Sequence, residues 1–398
     1  MKLNLCIKLN FMKNPAQLTP WLTGKHVNRQ SQSGPSILFI SGGSALTSFC
    51  HTLTKSTQNS VHLITTFDSG GSTAELRKHF NIPAIGDIRS RLITLANDSL
   101  PEIRHLANLL NYRFPHQAKP QNLKIELEHI LTGEHILTQK LPLGLLNFIQ
   151  HTLQSFFERK PANFKLNGAS IGNLCLVGCY FSHDKNLDSC IEVFSELLDI
   201  KGKILPVLDD DYHLVAELES GSKICGQHLI TGKEVNPIAS PVKNLFLTQD
   251  LLFHTPQQPK TSQKVIDQIM QADLICYPPG SFYTSVIANL LVSGVAEAIH
   301  ENPCPKVFLP NTTADPEQLG MNLTDMLSQL NQLGKCTKLK ILLDEKDSSY
   351  PFSTQVDSLN CGSEIIKLDL ISPHSQPFYD TKKVVDALLN LIPDIKAK

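Results

Sequence analysis

The sequence has no excess of charge of either sign and no long hydrophobic run. Its 36 lysines and arginines are balanced by 37 aspartates and glutamates, giving a formal net charge of -1. Without a basic excess, we do not expect nucleic-acid binding as the main task. No apolar run approaches the roughly 18 residues of a membrane span, so we expect no membrane association. Hydrophobic residues still make up 41% of the 398 residues, which is ample for a core and excludes global disorder.

Cysteine pairs at metal-binding spacing are also missing. The ten cysteines include no C-x-x-C pair, which argues against a zinc ribbon. Cys175 and Cys179 lie inside the apolar run NLCLVGCYF, where we interpret them as small buried hydrophobic residues rather than redox or metal sites. Lysines and asparagines interrupt the first 14 residues too often for a signal peptide. We therefore expect a cytoplasmic protein with free thiols.

What the sequence does contain is an alternation of short apolar runs, glycine turns and helical patterns. Residues 36–40 (SILFI) and 61–65 (VHLIT) are typical of buried strands, and each leads through a glycine turn into a helical segment. This order predicts an α/β fold, Rossmann-like and doubly wound, with a mostly parallel sheet. Residues 203–207 and 213–218 alternate like strands and predict an antiparallel, partly exposed pair.

The same patterns predict one large domain. Residues 1–35 are polar and irregular and are interpreted as an extension, while residues 36–398 form the α/β domain. Apolar residues at spacings of three and four predict a helical insert over about residues 98–165. Residues 284–299 predict a single long apolar helix.

Two candidate ligand-binding motifs follow the first two predicted strands. Gly42 and Gly43, with Ser44, lie between a strand and a helix, where glycine permits close approach and the helix N-terminus attracts anions. A phosphate cradle and a plain turn explain this motif equally well. Asp68 ends the second strand and could accept hydrogen bonds from a ribose, ligate Mg²⁺ or cap the next helix.

Two more motifs lie in later loops. In residues 86–89 (GDIR), Arg89 could organise a phosphate or a sugar, although the spacing alone favours a surface salt bridge. In residues 168–173 (GASIGN), small residues permit close approach to a ligand, and Ser170 and Asn173 can donate or accept hydrogen bonds. Tight packing of a helix on the sheet is the alternative explanation.

The fifth motif, residues 277–285 (YPPGSFYTS), directly follows the apolar run ADLIC. Open α/β sheets place ligands at the carboxyl ends of their strands, and hydroxyl groups at a helix start favour an anion. Plain N-capping of the helix is the alternative. We expect a parallel sheet to gather most of the five motifs at one edge.

At these motifs the sequence resembles the family of 2-phospho-L-lactate transferases (CofD) and their gluconeogenesis-factor relatives (YvcK). The matching segments are SGGSAL (41–46), FDSGGSTAELR (67–77), PAIGDIRSRLITLAN (83–97), GASIGNLCLVG (168–178) and ADLICYPPGSFYTSVIANLLVSGVAEAI (272–299). The likeness extends from about residue 36 to about residue 390, and the YvcK-like branch is the more similar.

The sequence departs from the family pattern at four places. Ser69 stands where the regulator branch has a second acid, Ala169 where a histidine is usual, and Pro278 where a glycine is usual. The segment 315–317 (DPE) replaces the usual glutamine and glycine. These departures are typical of a divergent subfamily, and loss of the second acid predicts weaker metal binding.

The resemblance implies a nucleotide diphosphate over the carboxyl ends of the strands, in a protein that is often a homodimer. In the transferase branch, the protein moves a phospholactyl group from a nucleotide-activated donor to a deazaflavin alcohol, with Mg²⁺. In the regulator branch, the protein binds nucleotide sugars or a dinucleotide and has no established catalytic step. We therefore expect transfer of a phosphate-linked group to an alcohol, with non-catalytic nucleotide-sugar binding as the alternative. In the first case Asp68 would hold Mg²⁺ or accept the proton of the acceptor.

The candidate ligand-binding residues are Gly42, Gly43, Ser44, Ser69, Gly70, Gly71, Asp87, Arg89, Ser170, Gly172, Asn173, Gly280, Ser281, Tyr283, Ser285 and Asn289.

Overall fold

The structure, a computed structural model, describes residues 34–43, 46–232, 235–336, 338–355 and 363–393. Nearly all of the predicted N-terminal extension therefore lies outside the described residues, and so does Ser44 of the first glycine motif. Among the described residues, none of the helices combines the length and hydrophobicity that crossing a bilayer requires.

Ten strands form two sheets within the described residues. In chain order they are β1 (Ile37–Ser41), β2 (Ser60–Ile64), β3 (Lys203–Pro206), β4 (His213–Leu218), β5 (Lys223–Cys225), β6 (Val242–Thr248), β7 (Leu274–Tyr277), β8 (Lys306–Phe308), β9 (Leu339–Asp344) and β10 (Glu364–Leu368). The larger sheet has seven strands in the order β10-β9-β8-β7-β1-β2-β3, and every neighbouring pair is parallel. The predicted doubly wound α/β fold is therefore confirmed.

Helices cover both faces of the parallel sheet. They are α1 (Thr47–Ser56), α2 (Gly71–Phe80), α3 (Gly86–Leu95), α4 (Pro101–Asn111), α5 (Pro120–Thr132), α6 (Leu143–Arg159), α7 (Ile171–Ser182), α8 (Leu187–Leu197), α9 (Gln227–Ile230), α10 (Gln263–Met270), α11 (Ala288–Leu290), α12 (Val295–Glu301), α13 (Leu323–Gly334) and α14 (Thr381–Asn390). Helices α4 to α6 occupy residues 98–165, as the 3–4 spacing of apolar residues predicts, and α6 packs on α7.

The core consists of two apolar clusters, one on each face of the sheet. Alternate residues of β1 enter different clusters, since Ile37 and Phe39 belong to one and Leu38 and Ile40 to the other. Because both faces of the strand are buried, its sequence is continuously apolar rather than alternating.

The chain winds in opposite directions on the two sides of β1. Strands β2 and β3 follow on one side, whereas β7 to β10 extend the sheet on the other. Doubly wound sheets open a crevice beyond the carboxyl ends of the strands at such a reversal. The space between the ends of β1 and β7 is therefore where the fold itself favours a ligand.

Two predictions about secondary structure are wrong. Residues 203–207 do not pair with residues 213–218: β3 is a parallel edge strand on β2, while β4 forms a separate antiparallel sheet with β5 and β6. Ile204 and Leu205 of β3 are adjacent and both buried, which is the pattern of a parallel strand with two covered faces rather than of a partly exposed pair.

The predicted long helix at residues 284–299 is interrupted. A π-helix (Phe282–Ile287) runs into α11, and the chain then breaks before α12, where Gly294 has a φ of +95°. Ser293 supplies the reason, because its N–H donates to the carbonyl of Pro259 and its own carbonyl accepts from the N–H of Thr261.

Candidate functional site

The first glycine motif lies in contact with two other motifs. A Cβ added at Gly42 would lie 2.6 Å from Ser285 Oγ, and one added at Gly43 would lie 2.5 Å from the Cα of Asp87. Real Cβ atoms do not approach so closely, so glycine is needed at residue 43, where the neighbour is backbone, whereas at residue 42 the Ser285 hydroxyl would have to turn away. A turn that merely reverses the chain would not need these two approaches.

A buried arginine stands behind this glycine turn. Arg91 is 0% exposed; its Nη2 donates to the carbonyl of Gly42 at 2.9 Å and its Nη1 to Cys50 Sγ at 2.9 Å. No carboxylate among the described residues forms a salt bridge with it. Burial, and then the charge of Arg91, hold the pKa of His62 well below its usual range, so this neighbour stays neutral. The turn is thus backed by a buried positive charge, and the Asp87 carboxylate lies on its other side.

Asp68 uses one carboxylate oxygen locally and turns the other towards the third motif. Its Oδ1 accepts from the N–H of Gly70 at 3.0 Å, in the turn that precedes α2. Its Oδ2 lies 3.2 Å from where a Cβ at Gly86 would be. Asp68 therefore closes the turn before α2 but does not cap the helix, whose N-cap is Gly70 without a side-chain hydrogen bond, while Oδ2 lies near Gly86, the residue before Asp87. Gly71, at the start of α2, has a φ of +45°.

Ser69 faces the small antiparallel sheet. Its Oγ lies 2.7 Å from His228 Nδ1 and accepts from the His228 N–H at 3.3 Å. The position at which relatives of the regulator branch have a second acid is therefore occupied by a neutral hydroxyl that is bound to α9. Residue 69 therefore supplies no second carboxylate for a metal ion bound by Asp68.

Arg89 is buried and connects the third motif to the fourth. Its side chain is 6% exposed and its Nη1 donates to Ser170 Oγ at 2.7 Å. Burial, followed by the charge of Arg113, lowers the Arg89 pKa to about 10, and the carboxylates of Asp87 and Asp68 act in the opposite direction. The interpretation of this motif as a surface salt bridge is therefore wrong for Arg89.

The fourth motif begins α7 rather than following a strand. The N–H of Ser170 donates to Ser72 Oγ at 3.1 Å, which links it to the second motif. A Cβ at Gly172 would lie 2.3 Å from the carbonyl oxygen of Leu110, so this glycine serves close helix packing. Asn173 is 0% exposed, and neither its Oδ1 nor its Nδ2 has a hydrogen-bond partner among the described residues.

The donors at the start of the fifth motif's helix are already used. The N–H of Phe282 donates to Asp315 Oδ2, and the N–H groups of Tyr283 and Thr284 donate to Glu317 Oε2, all at 2.9 Å. The hydroxyl groups of this helix start predict a bound anion, but carboxylates of the chain itself accept from its N–H groups and from the Thr284 hydroxyl. The signal was present in the sequence as the DPE departure at residues 315–317, which brings two acids to this helix start.

The rest of the fifth motif closes the crevice between β1 and β7. Gly280 has a φ of +151° and exchanges two hydrogen bonds with the Asn311 amide, at 2.8 and 2.7 Å. Asn289 is fully buried and its Nδ2 donates to the carbonyl of Ser285 at 2.6 Å, but its Oδ1 has no partner among the described residues. Burial raises the pKa of Tyr283 to about 12, and nearby carboxylates add to the effect, so its phenol stays neutral. Ser281 is also buried.

A cavity of about 230 Å³ lies next to this crevice. Leu46 from the first glycine turn and Gly280 from the last both line it, together with Phe49 of α1 and Phe378 and Tyr379 just before α14. The walls are mainly apolar, whereas the glycine turns beside it are polar. An amphiphilic ligand would match this arrangement.

All five motifs are thus joined by direct contacts. The chain of contacts runs from Ser285 to Gly42, from Gly43 to Asp87, from Gly86 to Asp68, and from Arg89 to Ser170. Three of the motifs follow the ends of β1, β2 and β7, and the other two begin α3 and α7.

Comparison with known proteins decides the family. The family model described as 2-phospho-L-lactate transferase CofD matches residues 37–370. The chain belongs to this family. All of the motifs above lie inside the matched residues.

Similar proteins include the gluconeogenesis factor of Bacillus subtilis, which is 26% identical over 376 residues, covering 90% of this chain and 99% of that protein. A putative gluconeogenesis factor of Thermoanaerobacterium thermosulfurigenes is 26% identical over 375 residues, covering 90% of this chain and 98% of that protein. A crystal structure of a UPF0052 family member from Bacillus halodurans superposes with a TM-score of 0.66 at 24% identity, covering 89% of this chain and 100% of that one. This last likeness shows the fold.

Proposed function

We propose that this CofD-family protein binds a nucleotide diphosphate that carries a sugar or a related group, in the crevice between β1 and β7. The observation that carries the proposal is the buried Arg91 behind Gly42, whose Nη2 donates to the Gly42 carbonyl and whose Nε has no hydrogen-bond partner among the described residues. A buried guanidinium with an unsatisfied donor is costly. A diphosphate lying on the glycine turn would bring negative charge close to this cation.

Buried polar atoms support the same location. Asn173 and Asn289 carry amide atoms without hydrogen-bond partners among the described residues. The Nε atom of Arg89 also lacks a partner there. Native proteins satisfy more than nine in ten of their buried polar groups, so orphaned ones call for an explanation. All three belong to the motifs that meet in the crevice, where hydroxyl and phosphate oxygens of a ligand would pair with them.

The cavity beside the crevice suits the less polar part of such a ligand. Its aromatic wall residues, Phe49 and Phe378, offer ring faces on which a nucleotide base can stack. With about 230 Å³ it is smaller than most pockets for whole cofactors, so it would hold one part of the ligand while the diphosphate lies on the turns.

Among the two functions that the resemblance implies, the geometry favours the regulator. Ser69 stands where the resemblance implies a second acid, and its hydroxyl lies next to His228, so residue 69 supplies no charged ligand for a metal. The similar proteins named above are gluconeogenesis factors. We therefore propose nucleotide-sugar binding without turnover as the function, in a cytoplasmic and homodimeric protein.

Transfer of a phosphate-linked group remains the second candidate, because the contact between Asp68 and Gly86 brings Asp68 close to Asp87. Two carboxylates suit Mg²⁺, which accepts one or two protein oxygens and keeps several waters. When bound, the cation would neutralise charge on a leaving nucleotide. Asp68 and Asp87 would hold it, and the residues of the fifth motif would position the donor.

The two candidates differ in what happens to the bound molecule. We would titrate the protein with uridine and guanosine diphosphates and their sugar conjugates, with and without Mg²⁺, and follow the melting temperature. A ligand at about one hundred times its Kd should add roughly 2.7 kcal/mol of stability. Stabilisation without Mg²⁺, with no nucleotide released on incubation with alcohol acceptors, is the expected result. Release of a nucleoside monophosphate that requires Mg²⁺ and Asp68 would establish the transferase instead.

A further inference from the structure

Two cysteines and one histidine converge at the end of α7 that lies opposite the candidate ligand site. Cys179 lies in the last turn of α7, His183 directly follows this helix, and Cys190 lies near the start of α8. The short connection between the two helices makes them a hairpin, so residues at its closed end are brought together. None of the three residues belongs to the five motifs.

The three side chains present their ligand atoms to one point. The two sulfur atoms and a ring nitrogen all lie within 4.8 Å of one another. Cys179 Sγ and His183 Nδ1 are 3.5 Å apart. A tetrahedral zinc ion, with Zn–S of about 2.3 Å and Zn–N of about 2.0 Å, separates a sulfur and a nitrogen ligand by about 3.5 Å. The Cys179–His183 pair thus already has the separation that a shared zinc ion requires, and Cys190 Sγ lies within 4.8 Å of both ligand atoms.

Local structure fixes two of the three positions. Cys179 and His183 are four residues apart, which places them on the same helix face one turn from each other. The start of α8 is held by Asn186, whose Oδ1 accepts from the N–H of Ser189 at 2.8 Å. Metal coordination by His183 would replace the contact of 2.9 Å between its Nδ1 and the carbonyl of Cys179.

Burial distinguishes this cluster from a pair of reactive thiols. Cys179 is 1% exposed and Cys190 is 0% exposed, so oxidants and substrates have little access to either sulfur. Both thiols are free in the structure. A disulfide would use only the two sulfur atoms, whereas the half-buried His183 adds a third ligand and provides a route from solvent to the cluster.

The donor set selects the kind of metal. Thiolate and imidazole ligands favour zinc and similar soft or borderline cations, and they disfavour Mg²⁺ and Ca²⁺, which prefer oxygen. We propose that Cys179, His183 and Cys190 bind Zn²⁺, with water as the fourth ligand, and that the ion fastens α7 to α8. This site is independent of the nucleotide proposal.

The experiment uses the whole chain, from which metal is removed under reducing conditions. The protein is titrated first with Co²⁺ as a spectroscopic probe and then with Zn²⁺ in competition with a chromophoric chelator. We expect one ion per chain, a thiolate-to-cobalt charge-transfer band that Zn²⁺ removes, and a higher melting temperature with metal. The variants His183→Gln and Cys190→Ser should each weaken binding by more than the roughly 10- to 100-fold that loss of an outer-shell partner costs.

Cys225→Ser is the matched control, because Cys225 is a partly exposed free thiol on β5, outside the cluster. It should bind metal as the wild type does. Equal binding by His183→Gln and the wild type would overturn the proposal, and so would a Cys179–Cys190 disulfide in protein kept reduced with Zn²⁺ present. If Cys190→Ser does not fold, His183→Gln decides alone, because its side chain is only half-buried.

Discussion

Gly43 and Asp87 approach each other so closely that a side chain at residue 43 has no room. A Cβ added there would lie 2.5 Å from both the Cα and the Oδ1 of Asp87. This contact joins the turn after β1 to the start of α3, and it is made between two residues 44 positions apart in the sequence.

Gly43→Ala should therefore damage both the turn and the ligand site. Overpacking against backbone costs about 1–3 kcal/mol of stability, and displacement of Asp87 should weaken nucleotide binding by at least about tenfold. Urea unfolding and a nucleotide titration measure the two effects. Gly221→Ala is the control for binding, because nothing lies within 4 Å of an added Cβ there; its φ of +84° strains an alanine, so this variant loses stability without displacing a neighbour. A Gly43→Ala variant that binds the nucleotide as well as this control does would contradict the close approach.

Asp68→Asn should impair binding and spare the fold. Asparagine keeps an oxygen that can accept from the Gly70 N–H, so stability should change by no more than about 1 kcal/mol. Loss of the charge should weaken ligand binding by roughly 2 kcal/mol. Binding that becomes insensitive to Mg²⁺ identifies a metal ligand, whereas equal loss with and without Mg²⁺ identifies a ribose partner.

The matched control for this variant is Asp250→Asn. Asp250 likewise accepts from backbone N–H groups, those of Leu252 and Phe253, in an exposed turn after β6. It should alter neither binding nor stability appreciably. If Asp68→Asn melts far below the wild type and binds normally once folded, Asp68 is only a structural cap.

Glu317 should prove to be a stability residue. It is 1% exposed and accepts from the N–H groups of Tyr283 and Thr284 and from Thr284 Oγ1. Glu317→Ala leaves these neutral donors buried and unpaired, and each buried donor left unsatisfied costs about 1–3 kcal/mol. Chemical unfolding of Glu317→Ala, Glu317→Gln and the exposed control Glu345→Ala tests this order: the alanine variant should be least stable, the glutamine variant intermediate and the control unchanged. A neutral result for Glu317→Ala would show that this helix start needs no carboxylate.

Asp344 should give the fold a defined dependence on acid pH. Burial raises the pKa of this carboxyl. Four hydrogen bonds, from the N–H groups of Lys346, Leu370 and Ile371 and from the Ser349 hydroxyl, together lower the pKa by more than burial raises it, so the net shift is downward. An acid with a lowered folded pKa stabilises fully above its unfolded pKa, about 3.9, and loses this contribution as the pH falls through the folded value.

Urea unfolding of the wild type and of Asp344→Asn, at several pH values from neutral down to below about 4, measures this term. The wild type should lose more stability on acidification than the variant does, and the two curves should approach each other at the lowest pH. Parallel curves would mean that Asp344 does not change its pKa on folding.

Much of the fold was predictable because β1 and β2 are buried on both faces and are therefore continuously apolar. Three of the five motifs could be located at strand ends, since glycines or acids directly follow the apolar runs of β1, β2 and β7, while their role in ligand binding remains a prediction. The pairing of β3 was not, because a four-residue edge strand carries too little pattern to reveal its neighbour. The predicted boundary between the extension and the domain remains a prediction.

The parts of the site that sequence analysis missed depend on contacts between distant residues. A buried Arg91 looks in the sequence like any surface cation, and its role emerges only when α3 packs behind Gly42. Glu317 caps a helix start more than 30 residues earlier in the chain. The proposed metal cluster was not predicted, because Cys179 lies inside an apolar run that is typical of a buried hydrophobic residue, although Cys179 and His183 stand four residues apart.

The central claim is that the crevice between β1 and β7 holds a nucleotide diphosphate, and isothermal titration calorimetry tests it most directly. Uridine, guanosine, cytidine and adenosine diphosphates and their sugar conjugates would each be titrated into the wild type and into Gly43→Ala. The account predicts that at least one of them binds the wild type with one molecule per chain, without Mg²⁺, and binds Gly43→Ala at least about tenfold more weakly. No heat of binding from any of them at millimolar concentration, or equal binding by both proteins, would contradict it.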